Sequence, residues 1–206
     1  EVVKEVSVPN TAKALKALTR AYPGARAAME VGTHSPWITR LLEAEGWDVT
    51  VANARKVKAI YDNDRKCDRF DARMLARLLR VDPALLHPVH HGSERAQRDL
   101  LAVKLRDTLV RSHVRAISSV RSSLKSLGVR LPSPSTPAFT RHAREHLCEH
   151  PELLAAVEPL LKSIDELSAQ IKQYDKVIEG ACHEHAEAQR LREQIPGVGP
   201  ITALTF

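Results

Sequence analysis

Apolar and polar positions run in three different rhythms along the chain. In the first, short apolar runs alternate with stretches of helical spacing. Val2-Val3-Lys4-Glu5-Val6-Ser7-Val8 has the β-branched content of a strand. Asn10 is placed to cap a helix over 12–22, where Leu15, Leu18 and Tyr22 lie three and four apart, and Pro23-Gly24 stops it. Arg26 to Val31 is a short apolar run suited to a buried parallel strand. Gly32 and Thr33 turn the chain, Ser35-Pro36 opens a helix through Glu45, and Gly46 ends it. Trp47 to Ala52 is a further strand, and Asn53 caps a helix with Arg55, Lys56 and Lys58. Another helix is predicted from about Asp68 to Leu79, closed by Asp82-Pro83. Strand, helix, strand, helix is the pattern of a βαβ unit, so an α/β part is expected over 1–87.

The second rhythm is one long helix from about Ser93 to Leu127. Its apolar positions Val103, Val110, Val114, Ile117 and Leu124 lie three, four or seven apart, and Gly128 supplies a stop. Pro132-Ser133-Pro134-Ser135-Thr136-Pro137 is a loop. The third rhythm is a second long helix, in which Leu160, Ile164, Leu167, Ile171, Tyr174, Ile178 and Ala181 alternate steps of four and three. Such a seam suits coiled-coil packing, within the chain or between copies. Pro159 stands where that helix would start or kink. The helical region is expected over 88–194, and 195–206 opens a further element.

Charge separates these segments more sharply than hydropathy does. The whole 206-residue chain is +6, but residues 88–130 alone carry +6 and residues 145–194 carry −6. An excess of Lys and Arg on one helix is the footprint of a phosphate-binding surface, whose affinity is salt-sensitive and largely blind to sequence. Arg98, Lys104, Arg111, Arg115, Arg121 and Lys125 are the candidates, against the plain alternative of a solvated helix face. Aromatic residues are only 4%, which argues against a base-stacking platform. Cys67, Cys148 and Cys182 are odd in number and widely spaced, which argues against a disulfide framework or a zinc site. No apolar stretch is long enough for a membrane span, and a cytoplasmic protein is expected. The chain starts at Glu1 and stops within an apolar run, which reads as cut at both ends.

Three carboxylates are candidates for chemistry. Glu30 falls at the end of a predicted parallel strand, where ligand sites gather in open sheets. Asp68 and Asp71 are three apart, on one face of a helix. Hard oxygen ligands of this kind suit Mg²⁺ or Mn²⁺. The competing explanation is helix capping, with Asp68 as N-cap, Asp71 in the first turn, and Arg69 and Arg73 neutralising both. Last, Gly197 and Gly199 in Ile195-Pro196-Gly197-Val198-Gly199-Pro200 form a tight turn whose bare N–H groups could grip a phosphate, as in half of a helix-hairpin-helix; a plain turn is the alternative.

Three stretches in this order resemble the DEDD transposases of a class of bacterial insertion sequences, relatives of the Piv DNA invertase. They are Met29-Glu30-Val31-Gly32-Thr33-His34-Ser35-Pro36-Trp37, the K-x-D-R-x-D-A run of Lys66–Ala72, and Pro196-Gly197-Val198-Gly199-Pro200-Ile201-Thr202-Ala203. The resemblance implies an N-terminal RuvC-like (RNase H-like) catalytic domain whose first strand lies upstream of Glu1, then long helices, then the start of a C-terminal transposase domain at 195–206. It places Glu30, Asp68 and Asp71 as the second, third and fourth acids of a metal-binding tetrad. The first acid and the attacking serine would fall outside this stretch, so the chain alone is not expected to recombine DNA. The family's partners are double-stranded DNA, a structured guide (bridge) RNA and further copies of the chain, as a dimer or tetramer. Two other readings stay open from the residues themselves: a RuvC-like nuclease or resolvase using metal-activated water, and a non-catalytic nucleic-acid-binding assembly module.

Overall fold

The computed structural model describes residues 2–53, 55–57, 67–132 and 138–205. They fold as two units, 1–91 and 92–206. The chain is mostly helical, with one small parallel sheet. No helix among the described residues is long and apolar enough to cross a membrane.

In the first unit, α1 (Ala12–Ala21) starts under a cap from Thr11, whose hydroxyl accepts from the Ala14 N–H at 3.3 Å. It ends before Gly24, which takes φ +67°. Strand β1 (Arg26–Glu30) is followed by α2 (Ser35–Ala44), with Pro36 in its first turn, and by β2 (Asp48–Ala52). The strands pair in parallel, from Arg26 opposite Asp48 to Glu30 opposite Ala52. Helix α3 (Asp68–Val81) packs on β1, and a 3₁₀ turn (Pro83–Leu86) follows it. The outer edge of β2 is not left open: Asn53 N–H donates to the Leu86 carbonyl and Val89 N–H to the Val51 carbonyl. Ala52, Val57, Leu75, Leu79 and Leu86 form the core beneath this βαβ unit.

One expectation fails here, and another falls largely outside the described residues. Residues 2–8 pair with no strand among the described residues, and Val3 is 94% exposed. β-branched content marks a segment that can extend, but only a neighbouring edge turns it into a strand. The helix expected after Asn53 falls largely outside the described residues, as do Lys58 and Lys66; Arg55 and Lys56 form a turn.

The second unit is built on two long helices. Helix α4 (Glu94–Ser126) is capped by Ser93, which accepts from Ala96 N–H, and gives way to Gly128 at φ +83°. Short α5 (Phe139–His146) leads into α6 (Pro151–Glu184). Pro159 lies inside α6, not at its start. Helix α7 (Ala186–Gln194), a hairpin and α8 (Pro200–Thr205) complete the unit. Residues 133–137 of the proline-rich loop lie outside the described residues.

Helices α4 and α6 run antiparallel, and the seam between them is offset from the expected one. The buried α4 positions are His113, Ile117, Val120 and Leu124, while Val114 is 53% exposed. On α6 the buried positions are Leu161, Ile164, Ile178 and Cys182; Leu160, Leu167, Tyr174 and Ala181 are only half-buried. The seam thus takes in polar residues that an apolar pattern passes over. Ile117, Val120 and Leu124 meet Phe139, Ala143, Leu147, Leu161 and Ile164 in one aliphatic core. Away from that core, polar pairs follow one another: His113 with Ser168, Arg106 with Asp175 at 2.5 Å, and Asp99 with His185 at 2.7 Å.

Candidate acid site and nucleic-acid surface

Glu30 ends β1 and is exposed. The connection that follows is closed on itself: Ser35 Oγ accepts from Gly32 N–H at 3.0 Å and donates to the Gly32 carbonyl at 2.8 Å. Glu30 therefore stands at the carboxyl end of a parallel strand, on the rim where ligands meet such sheets. Its carboxylate bonds to no described residue.

Asp68 and Asp71 both lie in the first turn of α3, where the helix dipole favours negative charge. The cap itself is Cys67, not Asp68, and its side chain makes no capping bond. Asp68 is exposed, whereas Asp71 is only 8% exposed. Asp71 Oδ1 is buried with no hydrogen-bond partner among the described residues. A buried polar atom left unpaired costs about 1–3 kcal/mol, more if charged, so such an atom asks for a partner that the described residues do not supply. Neither Arg69 nor Arg73 neutralises these acids; Arg73 pairs with Glu5 instead, at 2.8 Å.

The three acids belong to one compact unit, but no three His, Cys, Asp or Glu side chains among the described residues stand close enough to share an ion. The donor chemistry still suits a divalent cation: three hard carboxylates, two of them solvent-facing, and one carrying an orphaned buried oxygen.

The basic candidates divide on α4. Lys104, Arg111 and Arg115 are exposed and, with Asp107, Thr108 and Ser112, line a shallow groove of about 390 Å³. One acid tempers this face, since Asp107 bonds Arg111 at 2.8 Å. Arg98 and Lys125 are also exposed. Arg121 is different. Its guanidinium lies 5.1 Å from the centre of the Phe139 ring, and its Nε is buried. It is a packing group of the aliphatic core, not a displayed cation.

Gly197 adopts φ +88°, the left-handed region that a side chain resists, whereas Gly199 has an ordinary φ. Val198 N–H closes the turn onto the Ile195 carbonyl. The turn joins α7 to α8, and Ala188 and Ala203 pack with Cys182 of α6. Residues 195–205 cluster with the second unit.

Sequence reasoning missed the polar network of the second unit. Arg144 bridges Glu158 and Asp165, both at 3.0 Å, and Thr140 donates to Asp165 at 2.6 Å. Hydrogen bonds from Arg144 hold the Glu158 carboxyl below its usual range. The available signal was spacing: Asp99, Arg106 and His113 recur every seven residues, as do Ser168, Asp175 and Cys182. No curated protein matches the chain. Residues 1–128 match the IS110-type DEDD family described as transposase, and this match over more than half its length shows that the chain belongs to the IS110-type DEDD transposases.

Proposed function

We propose that this chain is the metal-holding and nucleic-acid-holding part of an RNA-guided DNA recombinase that moves an insertion sequence. The observation that carries the reading is Asp71 Oδ1, a buried carboxylate oxygen on the helix of the K-x-D-R-x-D-A run that has no partner among the described residues. The first unit is read as RuvC-like, with Glu30, Asp68 and Asp71 as ligands of Mg²⁺ or Mn²⁺. When bound, such an ion polarises the scissile phosphate and favours the oxygen that attacks it. The side chains themselves have simpler tasks. Glu30 on the strand rim and Asp68 at the helix start present charge to solvent, and buried Asp71 anchors the site to the core.

Lys104, Arg111 and Arg115 of α4 are read as a grip on the backbone of double-stranded DNA or of the guide (bridge) RNA, with Arg98 and Lys125 further along the helix. Gly197 and Gly199 are read as a second phosphate contact. The half-buried stripe Leu160, Leu167, Tyr174 and Ala181 of α6 supports assembly into a dimer or tetramer. The protein would act in the cytoplasm.

The test is made in the full-length protein. Glu30→Gln or Asp71→Asn abolishes strand exchange and leaves nucleic-acid binding nearly intact. Preserved exchange in both variants overturns the assignment of the acids. A covalent protein–DNA adduct is expected from the recombinase; a hydrolysed end without an adduct would favour a nuclease.

A further inference from the structure

Helix α3 has a second chemical face that the acid site does not use. Arg69, Arg73, Arg77 and Arg80 are all exposed. At 3.6 residues per turn they fall within an arc of about 80°, roughly opposite Asp71. Ala72 and Ala76 lie on the same side, and all six residues line a cavity of about 610 Å³. Among the described residues only Arg73 of the four is paired, and its partner is Glu5 of the extended N-terminal segment, 2.8 Å away. The face therefore already accepts one carboxylate, and three guanidinium groups stand without a counter-charge.

We propose that this arginine face is a binding site for the backbone of duplex DNA, roughly opposite Asp71 on α3, and that Glu5 occupies one of its phosphate positions in the free protein. The proposal rests on the reading of the chain as a nucleic-acid-acting protein, but not on any role of the acids. From Arg69 to Arg80 the helix rises about 16 Å, the axial length of roughly five base pairs. A planar guanidinium fork suits phosphate oxygens. Four such forks in line on a floor of alanines match a regular row of anions. Tyr22 is the one aromatic ring at the cavity, and it cannot supply the succession of stacked rings that unpaired bases need.

The experiment measures binding of the whole chain to a random-sequence 20-base-pair duplex across a salt series. The triple variant Arg69→Gln, Arg77→Gln, Arg80→Gln is expected to lose about tenfold or more in affinity at low salt. Its log–log salt slope should fall by roughly three contacts' worth. Glu5→Gln is expected to bind severalfold more tightly, because it removes the competing carboxylate. Should the triple variant unfold, Arg77→Gln alone carries the test, since that side chain bonds to no described residue; its slope should fall by about one contact. Unchanged affinity and slope in the arginine variants overturn the proposal, as does a loss confined to single-stranded RNA. A wild-type chain that binds no duplex overturns the reading beneath it instead. A wild-type chain that binds, with variants that bind equally well, overturns only the α3 face.

Discussion

His113 Nε2 and Ser168 Oγ lie 2.8 Å apart inside the seam between α4 and α6. The serine hydroxyl donates onward to the Ile164 carbonyl at 2.9 Å, so the imidazole supplies the proton of the first bond from Nε2. Burial holds His113 below its ordinary pKa of 6.5, with the charge of Asp165 pulling the other way.

This pair makes stability depend on pH in a defined window. As pH falls through 6.5 the unfolded chain takes up a proton that the folded seam resists. The stability of the second unit is therefore full above that value and declines as pH drops toward the lowered folded pKa. Thermal melts from about pH 7 to about pH 5 should show the decline in the wild type and much less of it in His113→Gln, which can still donate to Ser168. Glu158, held low by Arg144, acts in a different window: its contribution is present above 4.5 and is lost as pH falls further, through the lowered folded value. Equal pH profiles for wild type and His113→Gln would remove the histidine from the account.

The offset of the seam is testable by paired truncations. Leu161 is fully buried, whereas Leu160 is half-buried beside the same core. Leu161→Ala should cost about 2–5 kcal/mol in urea denaturation. Leu160→Ala should cost less than half as much. The reverse order would restore the seam that hydrophobic spacing alone suggests.

Divalent metal should bind through the acids without help from the rest of the reaction. Adding Mg²⁺ or Mn²⁺ at about 100 times its dissociation constant would stabilise the chain by about 2.7 kcal/mol. The rise in melting temperature should vanish in Asp71→Asn. That variant keeps the shape of the side chain and should be about as stable as the wild type without metal. A metal response that survives in Asp71→Asn counts against this site.

The basic residues of α4 should separate into two behaviours. Replacing Lys104, Arg111 and Arg115 by Gln should weaken nucleic-acid binding and lower the salt slope by up to three contacts, with little change in stability. Arg121→Gln should do the opposite: it should cost roughly 1 kcal/mol of stability through the lost Phe139 contact and leave the slope unchanged.

The hairpin between α7 and α8 offers a backbone test. Gly197→Ala forces a side chain into φ +88° and should destabilise the hairpin by about 1 kcal/mol or more. Gly199→Ala meets open space at an ordinary φ and should be nearly neutral. Calorimetry of the two variants decides whether the turn geometry depends on the first glycine alone.

Local information was enough for much of this protein. Alternating apolar runs and capping residues placed β1, α2, β2 and α3 within a residue or two, because strand and helix starts are set by neighbours in sequence. Ser93 and Gly128 likewise bracketed α4. The motif around Glu30, Asp68 and Asp71 pointed to the family before any fold was known, since it depends on residue identity alone. Packing decided the rest. Residues 2–8 look like a strand, but a strand exists only where a second edge accepts its hydrogen bonds. Arg121 looks like one more cation in a basic row, yet Phe139 comes from another helix to lie beneath it. The α4–α6 seam follows Ser168 and Asp175 because His113 and Arg106 meet them from the opposite helix. Periodicity counts carbon on one helix at a time; which face turns inward depends on what the partner brings, and polar pairs across a seam are invisible until both helices are in place.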